Sequence, residues 1–234
     1  MKLSKLIYAL IIVCVFLITL NGCVGPEVVT KSTVYEKPRN LRDLYIAFMP
    51  FDARELTKSE VEDITDEIIE NLSTYANIKK LVILDDDNER LRKVKDLRTW
   101  EMRYYYQENK VMPRLVTRDL LNQWSSCWEE YLNKKEMNIK MLNKIGSEIK
   151  VNSVLQFAVT DVKITRPVHR KVIGAITAQI NYTLFSTNGK VLFEGNSIAT
   201  QANAWSGQMV PPPIEAIDPA IDDIFKKFPF KTTF

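Results

Sequence analysis

Between positions 172 and 184 the chain alternates. Val172, Gly174, Ile176, Ala178, Ile180, Tyr182 and Leu184 are interleaved with the more polar Thr177, Gln179, Asn181 and Thr183. An apolar residue at every second position lays one strand face on a core, so a long strand running to about Ser186 is predicted. Asn188 and Gly189 follow, a pair that favours a two-residue hairpin turn, and residues 190–204 read as its return strand. Upstream, Leu44, Tyr45, Ile46, Ala47, Phe48, Met49, Pro50 and Phe51 form a nearly continuous apolar run, which suits a strand covered on both faces. Thr57 and Glu60 have capping-box spacing, and Val61, Ile64, Ile68, Leu72 and Tyr75 recur at helical intervals, predicting a helix over residues 59–75. Residues 81–84 are a second short strand. Ile139, Leu142 and Ile145 mark a helix ending around Gly146 or Ser147, and residues 151–164 read as a strand. Asp218 and Pro219 suit the N-cap and first turn of a last helix, whose Ile221, Ile224, Phe225 and Phe228 should cover the sheet.

The predicted fold class is α/β. We expect a single sandwich domain over residues 41–234 with a mixed sheet, a long C-terminal β-hairpin, flanking helices and a helical insertion. Alternation over a hairpin also occurs in membrane barrels, but Glu194 and Asn196 sit beside Phe193 in the return strand, and one hairpin closes no barrel.

The insertion, residues 88–135, is aromatic-rich. Arg90, Arg92, Lys93, Lys95 and Arg98 precede Trp100, Tyr104, Tyr105 and Tyr106, and after Pro113 the residues Leu120, Leu121, Trp124, Trp128 and Tyr131 fall on one helical stripe. Two readings stand: a solvated helix face with buried aromatics, or an exposed docking surface for a protein or anionic lipid, since Trp, Tyr and Arg concentrate binding energy. On the second reading Trp100, Tyr104, Tyr105, Trp124 and Trp128 are partner-binding candidates. The basic turn over residues 165–171 adds Arg166, Arg170 and Lys171.

The amino terminus changes the picture most. Lys2 and Lys5 precede an apolar run over residues 6–20, then Gly22 and Cys23. Charged, apolar and small-residue parts in that order make a secretory signal, and the run is shorter than the roughly 20 residues that span a bilayer. Leu20, Asn21, Gly22 and Cys23 resemble the lipobox of bacterial lipoproteins. That resemblance implies cleavage before Cys23, removal of residues 1–22 and acylation of Cys23. Val24, where enteric lipoproteins retained at the inner membrane carry Asp, implies an outer-membrane address facing the periplasm. Residues 23–40 are polar, contain Pro26 and Pro38, show no sustained period, and read as the lipidated cysteine and a flexible tether.

Composition narrows the chemistry. The 234-residue chain carries a formal charge of +3, and losing Lys2 and Lys5 with the signal leaves it nearly neutral, with no global attraction to nucleic acid. Of three cysteines, Cys14 leaves with the signal and Cys23 takes lipid, so Cys127 remains without a disulfide partner. It has no neighbouring histidine; the single histidine is His169. A nucleophile elbow, a zinc-binding helix and a phosphate loop are all missing, so no enzyme activity and no cofactor is expected. Asp85, Asp86 and Asp87 invite a metal, but they lack the alternation and glycine of a calcium loop, and capping a following helix accounts for them better.

The order of elements carries a resemblance. An apolar strand ending at Pro50 and Phe51, an amphipathic helix, a strand ending in aspartates, a helix running through Ile145, Gly146, Ser147, Glu148 and Ile149 into a strand, and a hairpin at Asn188 and Gly189 follow one another. This looks like the superfamily joining curli-secretion lipoproteins, outer-membrane lipoprotein activators of penicillin-binding proteins and the N-terminal domain of the Tol-system translocation protein. The resemblance implies an α/β sandwich and a non-enzymatic role. Two functions follow as expectations: an accessory lipoprotein that binds and positions or activates a periplasmic or outer-membrane protein partner, or a self-assembling ring subunit of an export complex.

Overall fold

The computed structural model describes residues 25–36, 41–53, 56–84, 114–165, 174–202 and 210–230. Its centre is a six-stranded mixed sheet in the order β1-β6-β5-β4-β2-β3. In chain order the elements are β1 (Glu27–Val34), β2 (Leu44–Phe48), α1 (Lys58–Ser73), β3 (Ile78–Ile83), α2 (Arg114–Lys134), α3 (Ile139–Ile149), β4 (Ser153–Thr165), β5 (Ala175–Ser186), β6 (Val191–Ala202) and α4 (Ile214–Lys226). Strands β2, β3 and β4 are mutually parallel where they pair, while β4, β5, β6 and β1 form an antiparallel ladder. The α/β class, the mixed sheet, the C-terminal hairpin and the flanking helices are therefore present as expected.

Pleating splits each strand between two cores. Ile46, Phe48, Leu155, Phe157, Ile180, Tyr182 and Phe193 face one side, where α1 and α4 cover them with Ile64, Ile68, Ile221 and Ile224. An aromatic stack closes this core: Phe157 lies 5.7 Å from Tyr182 and 5.9 Å from Phe225, and Tyr75 packs 5.9 Å from Phe228. Tyr75 follows α1 rather than ending it, and its buried hydroxyl donates to the Phe225 carbonyl at 3.0 Å. Burial pushes that phenol up to about 12. On the other side Ala47, Met49, Val154, Ala158 and Phe185 meet Trp124, Trp128, Leu142 and Ile145 of α2 and α3.

Local signals act as the residues dictate. Thr57 caps α1: the Glu60 amide donates to its hydroxyl at 3.3 Å, and the Thr57 amide donates to the Glu60 carboxylate at 2.8 Å. The capped, hydrogen-bonded carboxylate of Glu60 is held below its ordinary range. Lys80, 7% exposed, donates from Nζ to the carbonyls of Ile149 and Lys150, which have no helical donor at the end of α3.

Three expectations need correction. The tether expected over residues 23–40 contains β1, which pairs antiparallel with β6 from Glu27 opposite Thr200 to Val34 opposite Phe193. Its partly covered positions are Val28 and Thr30, small side chains that lie over β6, with Thr30 Oγ1 donating to Ser197 Oγ at 2.7 Å, while Ser32 on the same face is exposed. The hairpin turn has three residues, not two. Ser186 and Lys190 close it, and Gly189 takes φ 98°, the left-handed conformation that a turn of this length places on glycine. Finally, α4 begins at Ile214, directly after Pro211, Pro212 and Pro213, so Pro219 lies inside the helix and Asp218 is not its cap. Pro219 offers no N–H to the carbonyl of Glu215 four residues earlier, and Glu215 is an exposed residue.

Candidate functional site

The helices on the second face stop short of β6 and β1. Where α2 ends over the sheet, a cleft of about 310 Å³ opens between α2 and strands β5, β6 and β1. Its floor is the second-face register of the ladder: Gln179, Asn181 and Thr183 from β5, Glu194 and Asn196 from β6, Lys31 and Thr33 from β1. Trp128, Tyr131, Leu132 and Lys135 form the α2 wall.

Glu194 organises this site. Its Oε1 accepts from the Tyr35 hydroxyl at 2.7 Å and its Oε2 accepts from the Tyr131 hydroxyl at 2.8 Å. One carboxylate thus joins the residue after β1, the hairpin and α2. Tyr35 is fixed by its own amide, which donates to the Leu192 carbonyl at 3.0 Å. The Tyr131 phenol is pushed up by burial first and then by the carboxylate it serves, and the Tyr35 phenol is raised chiefly by its bond to Glu194. Both phenols therefore stay protonated donors through the neutral range. Lys135, left-handed at φ 59°, places its ammonium 5.1 Å from the centre of the Tyr131 ring. Each oxygen of the Glu194 carboxylate accepts from one phenol and keeps acceptor capacity, so the cleft offers a carboxylate, amides, hydroxyls and two lysines: a surface lined by polar groups.

Below the cleft lies a second polar link. The Trp124 indole donates to Gln156 Oε1 at 2.6 Å, and Gln156 Nε2 donates to the carbonyls of Pro50 at 2.8 Å and Phe157 at 2.6 Å. A glutamine 2% exposed is satisfied at each end by α2 and the sheet. Trp128 is the exception. Its Nε1 is buried with no hydrogen-bond partner among the described residues.

The candidates from the sequence divide as follows. Trp124 and Trp128, proposed as partner-binding, are 3% and 2% exposed and pack edge-on to Phe185 at 6.2 and 6.4 Å. They are core side chains, because the 120, 124, 128 and 131 stripe of α2 is its sheet-facing side. Cys23, Trp100, Tyr104, Tyr105, Arg166, Arg170 and Lys171 lie outside the described residues, as do Asp85, Asp86, Asp87 and His169. Cys127 is half-buried on α2, and burial with nearby Glu130 pushes its thiol up. Among the described residues no group of His, Cys, Asp and Glu is placed to hold a metal ion. Glu194 and its two tyrosines gave no short-range signal, since they are separated by 63 and 159 positions.

No protein-family model matches the chain, and no curated protein matches it. Among solved structures it is similar to PelC from Paraburkholderia phytofirmans, described as a dodecamer, at 11% identity and TM-score 0.39, covering 89% of this chain and 99% of that one. It is similar to lipoprotein GNA1162 from Neisseria meningitidis at 13% identity and TM-score 0.37, covering 79% and 99%. It also resembles hypothetical protein CT253 from Chlamydia trachomatis at 10% identity and TM-score 0.39, covering 79% and 95%. Likenesses this distant carry no functional assignment.

Proposed function

We propose that this chain is a lipid-anchored cell-envelope protein, held on the outer membrane through Cys23 and facing the periplasm. Its α/β domain binds a protein partner and positions or activates it, without catalysing a reaction. The observation that carries this reading is the amino-terminal sequence: charge, a short apolar run, then Gly22 and Cys23, followed within four residues by a strand of the folded domain. Acyl chains contribute about 0.8 kcal/mol per buried methylene, so several together hold a domain firmly. Among the described residues no helix is long and apolar enough to cross a membrane.

A second reading, a self-associating ring subunit similar to the curli-secretion lipoprotein, is favoured by one feature. The sheet is open, and β1 and β3 at its edges have no further strand beside them among the described residues. Fractionation tests the anchor: Cys23→Ser is expected to move the protein from membranes to the soluble fraction or leave it uncleaved. Unchanged processing with unchanged membrane retention would refute the proposal. Mass measurement of the detergent-extracted wild type separates the two readings, since a homogeneous high-order oligomer would favour the ring.

A further inference from the structure

The sheet has two ends, and the chain enters it at only one. Glu27, the first residue of β1, pairs with Thr200, which pairs with Thr177, which pairs with Lys163. This row crosses all four antiparallel strands close to where they end, at Thr165, Ala175 and Ala202. At the opposite end lie Ser153, Ser186 and the turn holding Asn188 and Gly189.

The row belongs to a projecting part of the domain. Strand β2 pairs with β4 only as far as Leu155, with one further bridge from Asp52 to Ala158, whereas β4 runs on to Thr165. The second core likewise reaches no further along β4 than Ala158. Beyond it the second face of the ladder and the end of β4 are exposed, while Ile176, Ala178 and Ala199 on the other face stay buried in the first core: Asp161, Lys163, Ile164 and Thr165 face solvent, and the cross-strand pair Val29 and Ile198 is 48% and 38% exposed.

Cys23 precedes Glu27 by four residues, a span of at most about 14 Å when fully extended. Strand β5 has 12 residues, and so is about 40 Å long. Because β1 runs from Glu27 away toward Val34, Gly25 and Pro26 leave the sheet at the projecting end, and both are exposed. Exposed apolar side chains occur at both ends, Tyr35 and Ile139 among those at the far one, so attachment length rather than surface apolarity decides the direction.

From this geometry we propose that the projecting end of the sheet, with Lys163, Ile164, Val29 and Ile198, rests against the phospholipid headgroups, and that the Asn188 and Gly189 turn points away from the membrane. The inference rests on acylation of Cys23, proposed above. A short attachment and a fixed strand direction leave the domain one way to sit. Ile164, Val29 and Ile198 then lie where apolar side chains meet the headgroup boundary, and the exposed Lys163 ammonium, ion-paired with Asp161 at 3.1 Å, lies beside them within reach of lipid phosphate. Asn188 and the far pair of strand ends are the periplasm-facing surface.

The test uses the full lipidated protein with Cys127→Ser, carrying one fluorescent label at Lys163→Cys or at Asn188→Cys, both exposed positions. It is reconstituted in phosphatidylethanolamine and phosphatidylglycerol vesicles with or without nitroxide-headgroup lipid. We expect at least twofold quenching at position 163 and none at 188. Inserting about 15 Gly/Ser residues between Cys23 and Glu27 should abolish the difference while the protein stays vesicle-bound, since such a linker is a flexible coil. Equal quenching at the two positions without the insertion, or stronger quenching at 188, would overturn the proposal. The amino-terminal mass of the same preparation separates the causes. An acylated Cys23 with the wrong quenching pattern refutes the orientation alone, and an unmodified one refutes the anchor and the orientation together.

Discussion

Gly195 is where the attachment of β1 is most exposed to test. It lies in β6, opposite Ser32 of β1 and Tyr182 of β5. A methyl group there would stand 2.5 Å from the Lys31 carbonyl oxygen and 2.6 Å from Tyr182 Cζ, with the Tyr182 hydroxyl nearer still. None of these yields cheaply. Lys31 Oxygen is backbone of β1, and Tyr182, 1% exposed, is wedged 5.7 Å from Phe157, 5.9 Å from Phe193 and 5.8 Å from Phe228. Overpacking of this kind costs about 1–3 kcal/mol. For a domain of this size each kcal/mol lowers the Tm by about 2–4 °C, so Gly195→Ala should melt roughly 2–12 °C below wild type in a circular-dichroism scan. The nearest atom is the Tyr182 hydroxyl, which is buried without a hydrogen-bond partner among the described residues. Adding Tyr182→Phe should therefore recover part of the loss, with a coupling of about 1 kcal/mol in the double-mutant cycle. Unaltered melting of Gly195→Ala, or no coupling to Tyr182, would refute the packing of β1 and β5 around this glycine.

Two further outcomes follow from the charge and hydrogen-bond arrangement. Burial, then Asp218, Asp222 and Glu70, push the Glu67 carboxyl from the usual 4.5 up to about 7. A folded-state value raised in this way supplies stability that is complete below about pH 4.5 and is lost as pH rises through 7. Glu67→Gln should therefore match wild type near pH 5 and exceed it by about 1 kcal/mol at pH 8, allowing for the half-exposed site; equal urea midpoints at pH 8 would contradict this. Tyr131→Phe removes one of the two donors to Glu194 and should cost about 1–2 kcal/mol while speeding amide exchange in the last turn of α2; exchange confined to wild-type rates would show that the clamp does not hold that helix.

How much of this was legible depends on the range of the interaction. The capping box at Thr57 and the alternation of β5 are written within a few residues, and each appears where the spacing puts it. β1 was not legible because an edge strand is half-covered: Val28 and Thr30 are only half-buried and Ser32 is exposed, and all three are small or polar, so Glu27, Lys31 and Thr33 between them produce no apolar contrast. At α4 the Asp218 and Pro219 pair looked like a start, while the three prolines at positions 211–213 were the stronger boundary. The aromatic stripe of α2 showed which residues share a face but not whether that face is covered, and the sheet covers it. The Glu194 clamp and the Trp124 link to Gln156 are products of tertiary structure alone, joining stretches 32 to 159 positions apart.

Everything functional rests on acyl chains at Cys23 holding a folded domain that starts four residues later. Mass spectrometry of the mature amino-terminal peptide from membranes tests that claim most directly. The expected peptide begins at Cys23 and carries a diacylglycerol thioether together with an amide-linked acyl chain. A peptide beginning at Met1, or a Cys23 with a free thiol and a free amine, would contradict it.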